Sequence, residues 1–186
     1  MYRNDLSAAL KARYGTKVYK LSLSTGCSCP NRDGTLGTRG CIFCDGAGAF
    51  AAVGDIDAQM AAAKEKVAAK VGEGAKYIAY FQSFTNTYGA VEELEPLFLR
   101  AIAPEEIVAL SIATRPDCLG EEVMEMLARL AAKKPLWVEL GLQTVHPRSA
   151  AYIRRGYDLA VFDKAVERLR AIENGNVTAA RRLLDL

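Results

Sequence analysis

The chain has 186 residues, 51% hydrophobic and 25% charged, which suffices for one domain with a substantial core. Its net charge of +2 is too small to argue for nucleic acid or an anionic membrane surface, and no apolar run is long enough to span a bilayer. The opening Met1-Tyr2-Arg3-Asn4-Asp5 carries charges where a signal peptide needs an apolar core, which places the protein in the cytoplasm.

Residues 4–14 read as a short helix with Leu6, Leu10 and Tyr14 on one face. Residues 17–23 read as a strand, with Val18, Leu21 and Leu23 apolar and Lys20 interrupting the pattern. Residues 24–54 follow with no period and many glycines, and a structureless stretch of that length in a compact domain is usually functional or disordered. Asp55 is a good N-cap for a helix carrying Ile56, Met60, Ala63, Val67 and Val71. Strand-like runs at 76–82, 106–112 and 136–142 alternate with helical stretches near 91–102 and 120–133. Pro96 argues against an unbroken first helix, whereas Val123, Met126, Leu127 and Leu130 make a clear stripe on the second. A last helix spans 158–172, with Phe162, Ala165, Val166 and Leu169 inward. Residues 172–186 show no further strand, and 178–186 suit one more short helix.

Strands alternating with helices predict an α/β fold: about four parallel strands covered by outer helices, with every strand's C-terminal end on one edge. Active sites gather at that edge in such folds. Polar loops follow three of the strands, 82–87, 114–117 and 143–146, and the cysteine-bearing loop leaves the first strand at the same edge. Four strands are too few for a closed eight-stranded barrel, so the chain is an open arc, a different small fold or a fragment, and the edge beyond the fourth strand is expected to favour self-association.

Four of the five cysteines, Cys27, Cys29, Cys41 and Cys44, lie within the aperiodic stretch. In a reducing compartment this density points to metal binding rather than disulfides. Two ligand sets fit, beside the reading of the cysteines as unliganded or redox thiols. All four thiols suit a zinc site, with Cys41-x-x-Cys44 as one half. Cys29, Cys41 and Cys44 alone suit an iron–sulfur cluster, whose fourth iron would stay open to a substrate or cofactor. Cys118 reads as a small buried hydrophobe.

The segment Cys29-Pro30-Asn31-Arg32-Asp33-Gly34-Thr35, continued to Cys41-x-x-Cys44, resembles the radical S-adenosylmethionine (SAM) proteins, in the branch related to the radical-SAM domain of the Elongator catalytic subunit. Matches in the same order occur at 17–23, 80–87, 114–118, 136–143 and 155–158, so the likeness covers residues 1 to about 170. It implies a partial (β/α) barrel over 1–172 and a divergent tail over 173–186. It also implies a [4Fe-4S] cluster held by Cys29, Cys41 and Cys44, with Cys27 outside the ligand set, and SAM on the open iron. Reductive cleavage of SAM to methionine and a 5′-deoxyadenosyl radical follows from the same resemblance. Gln82 and Asn86 fall in the run that takes the place of a SAM-amino-binding segment. Gln143 resembles a SAM-ribose position, and Arg155 resembles an arginine on the SAM carboxylate, a match its planar fork suits. Ala113 stands where relatives often have Glu.

Plainer readings of the same residues exist. Gln143 caps a strand end, Arg115 and Asp117 form a structural pair, Arg155 is surface charge, and His146 is an exposed loop residue. Glu139 lies inside a strand and needs a partner, for which a basic group across the barrel qualifies. The resemblance implies a protein one-electron reductant as a partner. RNA is conceivable as a substrate from the Elongator likeness, but no arginine-rich patch or stacking run supports it.

Overall fold

The computed structural model describes residues 6–44 and 54–172, together with the backbone of 177–181. Five strands form one parallel sheet in sequential order: β1 (Val18–Leu23), β2 (Lys76–Phe81), β3 (Ile107–Thr114), β4 (Leu136–Leu140) and β5 (Val177–Arg181). The helices are α1 (Leu6–Tyr14), α2 (Ile56–Val67), α3 (Val91–Ile102), α4 (Glu121–Ala131), α5 (Pro147–Tyr152) and α6 (Leu159–Arg170).

The α/β class and the outer helices stand as the sequence predicts, but the sheet does not end at four strands. Val177 to Arg181 pairs in parallel with Leu136 to Leu140, so 177–181 is strand rather than helix, and the edge of β4 is occupied. The proposed helix at residues 182–186 and the first residues of the predicted 4–14 helix lie outside the described residues. α3 also runs unbroken through Pro96. The apolar face of Leu94, Phe98, Ala101 and Ile102 is fully packed, which outweighs the hydrogen bond that proline removes.

Alternation along each strand divides the sheet into two faces. One buries Leu21, Leu23, Ala79, Phe81, Leu110, Ile112, Val138 and Leu140 against α2, α3, α4 and α6. Phe81 and Phe98 meet edge-on there, with ring centroids 4.9 Å apart. The opposite, inner face is polar near the strands' C-terminal ends, with Lys20, Tyr80, Ser111 and Glu139. At the other end it is apolar: Leu10 of α1 packs with Ile78 and Ala109, flanked by Tyr14, Val18 and Trp137. α1 therefore closes the bottom of the inner face, and the top stays open.

Asp55 is the N-cap of α2, its Oδ1 accepting from the amides of Asp57 at 2.7 Å and Ala58 at 3.3 Å. One turn on, the buried Gln59 accepts from the Ser24 amide and donates to the Ser24 and Gly54 carbonyls. That side chain fixes the point where the cysteine loop leaves β1.

Candidate active site

A cavity of about 800 Å³ opens at the C-terminal ends of the strands, walled by Cys29, Cys41, Cys44, Arg32, residues 82–85, Arg115, Gln143, Arg155 and Tyr157, with Lys20, Tyr80 and Glu139 deeper. All three predicted cluster ligands are on this wall. Cys27 is not: it packs against the outer core, so near Gly89 that a Cβ there would lie 3.0 Å from its Sγ. Among the described residues, no three Cys, His, Asp or Glu side chains converge on one point as ligands of a single ion would.

The cysteine loop is held by side chains rather than by regular structure. Asn86 Oδ1 accepts from the Thr25 hydroxyl at 3.1 Å, while its Nδ2 donates to the Ala113 carbonyl at 3.0 Å. Asn31 Nδ2 donates to the Arg154 carbonyl at 2.7 Å and approaches Cys41 Sγ at 3.2 Å. The Ile42 amide donates to the Ile153 carbonyl. Burial pushes the Cys41 thiol above its ordinary range, against the opposing hydrogen bond from Asn31.

Of the four residues expected at the cofactor, Gln82, Gln143 and Arg155 line the cavity, and Asn86 does not. Asn86 is fully buried, and both ends of its amide bind the fold. Arg155 is buried too, and its Nη1 donates to the carbonyls of Leu142 and Thr144 and its Nε to that of Tyr157. Arg115 and Asp117 make the two-toothed pair of the plainer reading, at 2.9 and 2.7 Å, and Arg115 Nη1 reaches the Arg155 carbonyl. His146 is exposed at the start of α5. Cys118 is half-buried rather than fully so; burial beside Asp117 pushes its thiol up to about 12.

The sequence reading did not single out Ser83 and Thr85, whose hydroxyls are buried on this wall with no partner among the described residues. A buried hydroxyl without a partner is costly, and at the wall of a cavity it marks a place for a ligand. Backbone strain gathers at the same place. The three described non-glycine residues with positive φ are Phe84 (58°), Gln143 (66°) and Arg154 (57°). Two line the cavity and the third offers its carbonyl to the cysteine loop. Such conformations persist where the surroundings over-determine them, typically at functional sites.

Glu139 has the basic partner its position required. Lys20 Nζ donates to its Oε1 at 2.7 Å, Ser111 Oγ to the same oxygen at 2.8 Å, and Tyr80 OH to Oε2 at 3.2 Å. The Lys20 ammonium lies 3.9 Å from the Tyr80 ring centre. Burial alone would raise the Glu139 pKa, but Lys20, Ser111 and Tyr80 outweigh it and hold the carboxyl below its usual range. With Lys20 and Arg115 paired to carboxylates, Arg32 and Arg155 are the cavity cations without a carboxylate partner among the described residues.

Three soft sulfur donors, two uncompensated guanidinium groups and two orphan hydroxyls around one cavity fit an iron–sulfur centre beside a ligand bearing a carboxylate. A family profile described as the radical SAM superfamily matches residues 31–179. The chain belongs to the radical SAM superfamily. That family uses a [4Fe-4S] cluster and SAM.

The chain is 45% identical over 171 residues to "Uncharacterized protein YtqA" of Bacillus subtilis (strain 168), covering 90% of the chain and 53% of that relative. It is 38% identical over 171 residues to "Protein YhcC" of Escherichia coli (strain K12), covering 90% and 54%. It is 29% identical over 164 residues to "Uncharacterized protein MJ0486" of Methanocaldococcus jannaschii, covering 85% and 49%. The chain thus spans about half the length of the curated relatives it matches. Among the described residues, no helix is long and apolar enough to cross a membrane.

Proposed function

We propose that this chain is the catalytic core of a radical SAM enzyme, with Cys29, Cys41 and Cys44 holding the cluster and the cavity beside them holding SAM. The observation that carries this reading is the shared wall: three cysteines from one loop face a space bordered by Gln82, Gln143 and Arg155, while Cys27 faces the core. When bound and reduced by one electron, cluster and SAM together supply homolytic cleavage to methionine and a 5′-deoxyadenosyl radical.

The chain's own residues bind and enclose. Arg155 brings a buried positive charge to the wall, which suits the methionine carboxylate. Gln143, held at φ 66° with its amide folded back over Gly141, presents a neutral donor and acceptor suited to ribose hydroxyls. Gln82, with Ser83 and Thr85 beside it, offers polar groups to the amino end. Phe43, exposed between two of the cysteines and on the cavity rim, shields the metal side from water. Lys20, Tyr80 and Glu139 line the deeper part, where the molecule that loses a hydrogen atom would enter. The electron comes from a one-electron reductant protein.

The test is anaerobic reconstitution followed by SAM and dithionite. Release of 5′-deoxyadenosine, with iron and sulfide near four per chain, is the expected result. A colourless protein with one zinc and no nucleoside product would contradict it.

A further inference from the structure

Arg32 is the cavity cation whose surroundings the proposed function does not use. Its Nη2 lies 3.1 Å from Cys44 Sγ and 3.5 Å from the Cys44 carbonyl. The guanidinium lies close to both Gly40 and Phe84. A Cβ on Gly40, which sits at φ 67°, would lie 3.1 to 3.3 Å from its Nε, Cζ and Nη2. The Phe84 ring centre is 5.0 Å from its Cζ. Arg32 Nε is buried with no partner, and no carboxylate pairs with the side chain among the described residues. A full positive charge is thus fixed against one cysteine sulfur. The neighbouring residue repeats the arrangement without charge, Asn31 Nδ2 reaching Cys41 Sγ at 3.2 Å. Among the described residues, Cys41 and Cys44 are the two cluster cysteines whose sulfurs accept from a side-chain donor.

We propose that Arg32 sets the reduction potential of the cluster by donating a charged hydrogen bond to the Cys44 sulfur. The inference rests on the cluster reading above. Reduction adds one electron from an external one-electron donor, breaks no bond and leaves the centre one charge more negative. A cation held at a ligand sulfur stabilises that reduced state more than the oxidised one, and hydrogen bonds to sulfur are a known lever on such potentials. Arg32 is therefore a positioning residue acting through Cys44, and the Gly40 and Phe84 contacts keep its charge where it acts.

The experiment is an anaerobic titration of the reconstituted protein with dithionite, followed by electron paramagnetic resonance, alongside iron per chain. Arg32→Leu, Arg32→Lys and the exposed neighbour Arg39→Leu are compared with the unmodified chain. Arg32→Leu is expected to keep its iron and to make reduction at least tenfold less favourable, which is about 59 mV for one electron. Arg32→Lys, which keeps the charge, should fall between it and the unmodified chain, and Arg39→Leu should match the unmodified chain. Unchanged potentials with full iron would overturn the proposal. So would loss of iron from both Arg32 variants, which would make Arg32 scaffolding for the loop. Absence of any cluster signal from the unmodified chain would overturn the cluster reading itself, and this inference with it.

Discussion

Asn31 and Arg154 stand 123 residues apart in sequence, and Asn31 Nδ2 donates to the Arg154 carbonyl at 2.7 Å. This bond ties the middle of the cysteine loop to the segment between α5 and α6. Gly156 lies under the junction at φ 84°, where a Cβ would meet Asn31 Oδ1 at 2.7 Å and Arg115 Nη2 at 3.2 Å. The geometry of the three cysteines therefore depends on a glycine that bears no ligand.

Gly156→Ala should destabilise the chain by about 1–3 kcal/mol, because the new side chain would sit both in a left-handed conformation and against Asn31. Iron retained after reconstitution should fall with it. Chemical unfolding together with iron analysis checks this; a variant with unchanged stability and full iron would show that the junction yields without loss.

The position of Cys27 separates ligand from packing. Alanine at Cys29, Cys41 or Cys44 should remove the cluster, whereas Cys27→Ala should keep it and lose only a little packing against the outer core beside Gly89. Iron per chain and the visible absorbance decide. Loss of the cluster from Cys27→Ala would contradict the three-ligand assignment.

Gln143 and Asn86 should respond differently to the same change. Gln143→Ala is expected to weaken SAM binding about tenfold, one neutral hydrogen bond's worth, without affecting stability. Asn86→Ala strands the Thr25 and Ala113 groups it now bonds, and should lower stability by about 1–3 kcal/mol. Calorimetric SAM titration and urea unfolding of both variants give the comparison; a stability loss at Gln143 larger than at Asn86 would reverse the roles assigned.

The Glu139 carboxyl is held below its usual range, so it contributes stability that is full above its unfolded value of about 4.3 and fades as pH falls through the lower folded value. Glu139→Gln should flatten this part of the acid profile. At neutral pH it should cost about 1–2 kcal/mol, since Lys20 loses a partner while remaining about a third exposed. Unfolding followed from neutral pH to about pH 3.5 checks both. An unchanged acid profile would show that Glu139 titrates alike in both states.

Much of this architecture is legible in the residues. The runs around Ile78, Leu110 and Val138 are apolar enough to be strands, and the thirty-residue spacing of their starts is the mark of a parallel repeat. The spacing of Cys29, Cys41 and Cys44, with the loop chemistry past each strand, points to the C-terminal edge of the sheet, where the cavity lies. What escapes a reading of the residues depends on contacts between distant segments. In Val177-Thr178-Ala179-Ala180-Arg181 the strand preference of Val177 and Thr178 is offset by two alanines, and the segment pairs with β4. Asn86 and Gln82 sit in one polar run, yet only the folded chain shows that one amide clamps two strand ends while the other borders the cavity. Lys20 looks like a fault in the alternation of β1 until Glu139 is placed across the inner face from it.

The most direct test is the paramagnetic spectrum of the reduced, reconstituted chain with and without SAM. The proposed set of three protein thiolates would leave one iron free, so adding SAM should change the cluster signal, and isotopic labels in the amino and carboxylate groups of SAM should appear as hyperfine couplings to that iron. A spectrum that ignores SAM, or a metal centre with all its ligands from the protein, would contradict the account.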